Sequence, residues 1–152
     1  MGERELVLSS WGKRFVAWLV DAIIVNIIYA AIVFSAGLPV IPSFDKTNSL
    51  MFTSGSTLFF IYWTLLEGAE GQSVGKMLLG LKVVDMEGND IGFVKAAIES
   101  FGKAYLLLLD VIVGMLAFGD TRQRLFNRLS RTIVIRVEPL PEESTGVRYV
   151  KE

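Results

Sequence analysis

Apolar positions along the chain fall into three long runs separated by short polar stretches. The first reads RFVAWLVDAIIVNIIYAAIVFSA from Arg14 to Ala36, and after Arg14 its only charge is Asp21, with Asn26 and Ser35 as minor polar interruptions. A helix needs about 20 such residues to cross a hydrocarbon core, so a membrane span is predicted at about 15–36. Gly37, Pro39 and Pro42 break the pattern, and IPSFDKTNS reads as a polar loop. The run LMFTSGSTLFFIYWTLL from Leu50 to Leu66 predicts a second span at about 50–66, with Tyr62 and Trp63 as interfacial rings. A third run, AYLLLLDVIVGMLAF at about 104–118, is short for a full crossing and holds Asp110 near its middle.

Between the second and third runs the pattern changes. LKVVD, MEGND and IGF read as strand, turn and strand, a hairpin lying outside the lipid. From Val94 a helical pattern resumes, with Lys95, Glu99 and Lys103 spaced four apart on one face. After Asp120, TRQRLFNRLSRTIVIRVE predicts a basic turn and a strand from Thr132 to Val137, able to pair with Leu81 to Val84. Residues 138–152 read as a tail. The predicted fold is an all-α integral membrane protein of two or three transmembrane helices with a small cytoplasmic β-hairpin or strand element. It forms a single domain over 1–137.

Composition sharpens this picture. In 152 residues, 52% are hydrophobic and mean hydropathy is +0.49, high for a soluble chain of this size. Cys and His are both absent, which removes thiolate and imidazole chemistry and the usual zinc and haem ligands. Nothing points to an enzyme, a metal or a cofactor. The N-terminal run is expected to be retained and not cleaved, and myristoylation at Gly2 fails because Leu6 stands where the motif needs Ser or Thr.

The net charge of −1 hides an uneven layout. The loop between the first two runs holds one Lys and no Arg, whereas the N-terminus, the 67–95 region and the 122–136 region each hold several basic residues. The positive-inside rule places those three regions in the cytoplasm, at the plasma membrane. Three full crossings cannot satisfy it, so the third run is expected to dip into the membrane and return. Arg122, Arg124, Arg128 and Arg131 are predicted to meet the anionic leaflet; nucleic acid is not expected. GQSVGKM fails as a nucleotide-binding loop, since Gly71 and Gly75 are one residue too close and Met77 replaces the magnesium-binding hydroxyl. Its glycines read as turn and close-packing positions, and Glu67 and Glu70 as solvated.

Arg14 and Asp21 lie two helical turns apart on one face, about 10 Å along the axis, too far for a direct bond. Each therefore needs a partner elsewhere, because a charge at mid-bilayer costs about 2.5–3.5 kcal/mol. Asp21 is either a buried structural acid or an ion or proton site. Asp110 raises the same choice, with Lys103 on its face as a snorkelling neighbour.

Arg14 with Asp21, the segment GQSVGKMLLGLKVVDMEGN, and QRLFNRLSRTIVI together resemble the RDD family of small membrane proteins over residues 10–136. The resemblance implies that Arg14 and Asp21 are the family arginine and first aspartate. It also implies a last motif of Arg-Leu-x-Asp, at which this chain carries Arg124, Leu125, Phe126 and Asn127. An amide there keeps hydrogen bonding but carries no proton or charge. Solute transport is the function usually suggested for the family, with cation/proton antiport for some members. The expected function is translocation of cations, protons or a small solute with Asp21 as the intramembrane site. Three helices are too few to enclose a route, so a homo-oligomer or a membrane-protein partner is implied. The alternative is a non-transporting assembly subunit.

Overall fold

The structure, a computed structural model, describes residues 4–38, 47–117, 122–137 and 147–151. These form β1 (Arg4–Leu8), α1 (Trp11–Ser35), α2 (Thr47–Glu70), α3 (Val74–Leu78), β2 (Leu81–Asp85), α4 (Gly92–Tyr105), α5 (Leu107–Ala117), α6 (Leu125–Leu129), β3 (Thr132–Arg136) and β4 (Val147–Lys151). The predicted polar loop lies outside the described residues up to position 46, and from Thr47 the chain is already helical.

Helix α1 begins where Ser10 accepts a bond from the Lys13 amide and ends before Gly37, whose φ of 71° terminates the helix. Its 25 residues measure roughly 38 Å, enough to cross a bilayer core. The buried positions Arg14, Ala17, Asp21, Val25 and Val33 form one narrow stripe, while Phe15, Ile23, Ile27 and Phe34 are more than half exposed. Such an outward apolar face suits lipid and would be a liability in water. Its remaining polar side chains bond back to the helix: Asn26 to the Ala22 carbonyl and Ser35 to the Ile32 carbonyl.

Among the described residues α1 is the one helix long and apolar enough to cross a membrane alone; α4 and α5 qualify as a pair, but a 108° bend separates them. Helix α2 packs chiefly along α4. The Cβ-less faces of Gly102 and Gly114 let α4 and α5 close on the segment that follows, against Phe126 and the Arg124 backbone respectively.

The strands form one four-stranded sheet in the order β2-β3-β1-β4. The expected pairing of β2 with β3 is present, antiparallel, with Leu81 opposite Arg136 and Asp85 opposite Thr132. The expected hairpin partner at residues 91–93 is absent, because the open edge of β2 is already occupied. The Val83 amide bonds to the Gly71 carbonyl and Gln72 Nε2 to the Leu81 carbonyl. The turn closes locally as Asp85 Oδ1 accepts from the Glu87 and Asn89 amides, and Gly92, at φ 66°, starts α4. The tail also needs correction. Residues 138–146 lie outside the described residues, but Val147–Lys151 is a strand pairing parallel with β1.

One sheet face packs Leu81, Val83 and Val134 on Ala17, Ile91 and Ala96. The other gathers Leu6, Leu8, Val84 and Ile133. Because β2 precedes the α4–α5 pair, β3 follows it, and the two strands are hydrogen-bonded neighbours, that pair leaves the sheet and returns to the same sheet.

Candidate functional site

Asp21 sits on the buried stripe of α1 and faces the junction of α2 and α3. Its Oδ1 accepts from Tyr62 Oη at 2.8 Å and the Gly75 amide at 2.8 Å, and its Oδ2 from Trp63 Nε1 at 3.0 Å and Ser73 Oγ at 2.6 Å. Four donors occupy the lone-pair positions of a carboxylate, and all four are neutral. Tyr62 and Trp63 are thus not interfacial rings: Trp63 is buried, and both turn their polar ends inward to this acid. The GQSVGKM segment supplies the other two donors. Gly75 is essential for this approach, since a Cβ there would lie 2.1 Å from the Ala17 carbonyl oxygen, and Gly71 takes a left-handed φ of 70°.

Arg14, seven residues earlier, has no bond to Asp21. Its Nη1 donates to the Arg122 carbonyl and its Nη2 to the Val134 carbonyl at 3.1 Å, and its guanidinium stacks 5.4 Å from the Trp11 ring centroid. Its Nε has no acceptor, and among the described residues no carboxylate forms an ion pair with it.

Beside this pair lies a buried ion network. Glu67 receives Lys76 at 2.8 Å and Lys103 at 2.6 Å; Glu99 receives Arg124 at 2.9 Å, Lys103 at 3.4 Å and Lys76 at 3.6 Å. Arg124 extends to Asp110 at 3.6 Å, and the Phe126 amide bonds Asp110 Oδ1 at 2.8 Å. Lys103 also stands 4.9 Å from the Trp63 ring centroid.

Several expectations change here. Glu67 is fully buried and central, not solvated, because two lysines compensate its charge; Glu70 is exposed. Arg124 is buried on Glu99 and does not reach a leaflet. Arg122 is half-buried and bonds the Leu8 carbonyl, while Arg128 and Arg131 are exposed. Lys103 does not snorkel, and Asp110 pairs with Arg124 instead, since the α4–α5 bend separates the two residues' helices. Asn127 is buried, accepting from Arg124 Nε at 3.1 Å and donating to Thr132 Oγ1 at 2.9 Å. One hint of the network is legible in the chain, the four-residue spacing of Glu99 and Lys103; nothing local marks Glu67, Lys76 or Arg124 as their partners.

Arg14, Asp21, Glu67, Lys76, Lys103 and Arg124 form the polar floor of a cavity of about 230 Å³. Its apolar lining comes chiefly from α1 and α5, with Trp11, Phe15 and Trp18 from the first and Leu107, Val111 and Met115 from the second. A wider groove of about 500 Å³ adjoins it and shares Trp18, Trp63, Lys103 and Leu107 with it. Of the expected site residues, Arg14 and Asp21 line the cavity without bonding each other, and Asp110 and Asn127 both contact Arg124.

No curated protein and no solved structure matches the chain. The RDD family matches residues 8–131, most of the chain, and covers the Asp21 cradle, the ion network and both cavity walls. The chain belongs to the RDD family and is a membrane protein built on one clear apolar helix, a bent helical pair and a small sheet.

Proposed function

We propose that this protein binds a small solute that enters the cavity from the membrane phase, as the solute-handling subunit of a homo-oligomer or larger membrane complex. The observation that carries this reading is the cavity itself: charged side chains beside aromatic and aliphatic lining, which includes the exposed Phe15 of α1 and Met115 of α5. A few polar groups set in an apolar pocket are the usual makeup of small-molecule sites. In this reading α1 and α2 cross the plasma membrane, the α4–α5 pair dips in and returns, and the sheet and residues 122–136 are cytoplasmic. The return of α4–α5 to the same sheet supports that layout.

The four donors on Asp21 support an anchoring role, joining α1 to α2 and α3, over a role as a coordinating or proton-carrying group. Vesicles holding the protein and a pH-sensitive dye are therefore expected to give no sodium- or potassium-driven signal that Asp21→Asn removes. A signal lost in that variant would return Asp21 to the centre of a translocation mechanism.

Solute binding is tested by tryptophan fluorescence. The chain has three tryptophans, Trp11, Trp18 and Trp63, and all three line the cavity. Brominated single-chain amphiphiles added to nanodiscs should quench them saturably, and Val111→Phe, which fills the cavity, should remove the saturable part. If acid, alcohol and amine probes all give only linear, partition-type quenching, solute binding in this cavity is ruled out and the assembly role is favoured.

A further inference from the structure

We infer that the cavity selects amphiphiles with one anionic head group, a carboxylate or a phosphate, and that Arg14 receives it. This rests on the solute-binding reading above and names the class of solute.

The site holds four cations and four acids, but their direct pairing is uneven. Lys76, Lys103 and Arg124 are matched in number by Glu67, Glu99 and Asp110, at distances of 2.6–3.6 Å. Asp21 is filled by four neutral donors. Arg14 alone among the described cavity cations lacks a carboxylate: two of its nitrogens reach carbonyl oxygens, the third reaches nothing, and the residue is 9% exposed. A buried cation without a counter-ion is costly, and a guanidinium presents a planar fork of donors suited to carboxylate and phosphate oxygens. An anionic head seated in the cavity gives this guanidinium a counter-ion in direct contact. A cationic head finds no such partner, because the lone pairs of Asp21 are taken and Glu67 already holds two lysines.

The apolar half of the ligand follows from the walls. Phe15, Trp18, Val111 and Met115 offer a sleeve for a hydrocarbon chain, and the adjoining groove continues it along Leu106, Leu108 and Leu109.

The experiment compares dibrominated stearic acid, stearyl alcohol and stearylamine in phosphatidylcholine nanodiscs, read by quenching of the three tryptophans. The acid is expected to bind at least about tenfold more tightly than the alcohol, the equivalent of about 1.4 kcal/mol, and the amine most weakly. Arg14→Gln should bring the acid to the level of the alcohol and leave the alcohol unchanged. Equal affinity of acid and alcohol in the unsubstituted protein, or a preference that survives Arg14→Gln, overturns the inference while leaving solute binding intact. Should Arg14→Gln fail to fold, Asn127→Asp adds a negative charge beside Arg124; it should weaken the acid selectively, and unchanged acid binding would count against the inference. Inorganic phosphate alone should not displace the acid. Displacement would mean that the site takes a free anion and not an amphiphile.

Discussion

Ser73 Oγ lies 2.6 Å from Asp21 Oδ2, joining positions 52 residues apart in the chain. With Gly75, Tyr62 and Trp63 it makes an acid within the long apolar helix α1 the point at which α1, α2 and α3 meet.

Replacing Asp21 by Asn therefore turns an amide N–H₂ toward groups that are themselves donors. Trp63 Nε1–H and the Gly75 amide cannot reverse roles, so at least one buried donor loses its acceptor. The expected cost is about 2–4 kcal/mol, read as a drop in thermal unfolding temperature in detergent, with Ser73→Ala costing about 1 kcal/mol. Unchanged stability in Asp21→Asn would remove the anchoring role.

Gly75→Ala places a methyl group 2.1 Å from the Ala17 carbonyl oxygen. Backbone cannot yield as a flexible side chain does, so α3 must move off α1. A loss of about 3 kcal/mol is expected, accompanied by a shift in tryptophan emission as Trp63 loses its fixed partner. Gly12→Ala, with open space around its Cβ position, serves as the neutral control.

Glu67 compensates two lysines at once. Glu67→Gln leaves both ammonium groups short of charge and should cost about 3–5 kcal/mol. Adding Lys103→Met to that variant should restore part of the loss, giving a coupling energy above about 1 kcal/mol in a double-mutant cycle. Strict additivity would show that the network is not one unit.

Asp85 ends β2, outside the long apolar helix and the bent helical pair. Burial works to raise its pKa, but the Asn89 and Glu87 amides and Lys95 outweigh it and hold the carboxyl below its ordinary range. A depressed folded pKa gives stability that is present above the unfolded value of about 4 and is lost as pH falls through the folded value. Asp85→Asn should cost about 1 kcal/mol near neutrality, and its melting curve should converge on that of the parent protein below about pH 4. Parallel curves from neutral to acid pH would assign Asp85 no such share.

The absence of Cys makes the membrane layout directly testable. Arg128→Cys and Leu38→Cys place single thiols on exposed positions within α6 and after α1. An impermeant maleimide added to intact cells should label Leu38→Cys and spare Arg128→Cys. Labelling of both would refute the returning α4–α5 pair.

The sequence made some elements plain and left others hidden, for reasons of range. The apolar run that predicts 15–36 is a local signal, and α1 at Trp11–Ser35 differs from it mainly by one extra turn at the start. The β-branched run Thr132–Val137 and its pairing with Leu81–Val84 were also legible, because alternation and branching act within a few residues. Glu67, Lys76 and Arg124 were not, since a buried charge is tolerated only through partners that the fold brings from 36 or 25 positions away. The second hairpin strand was lost because Gly71 and Gln72 occupy its place, a long-range fact with no local mark. Strand β4 escaped for the same reason, as its partner is at the other end of the chain.

The strand order β2-β3-β1-β4 has a temporal side. Strand β1 is flanked by β3 and β4, the two strands that follow all the described helices in the chain, so both of its hydrogen-bonding edges are covered only once those later segments dock. A prematurely terminated copy would keep those edges open, and an open strand edge is what self-association and quality control recognise. Closure of the sheet thus couples the segment before α1 to the segments after α6.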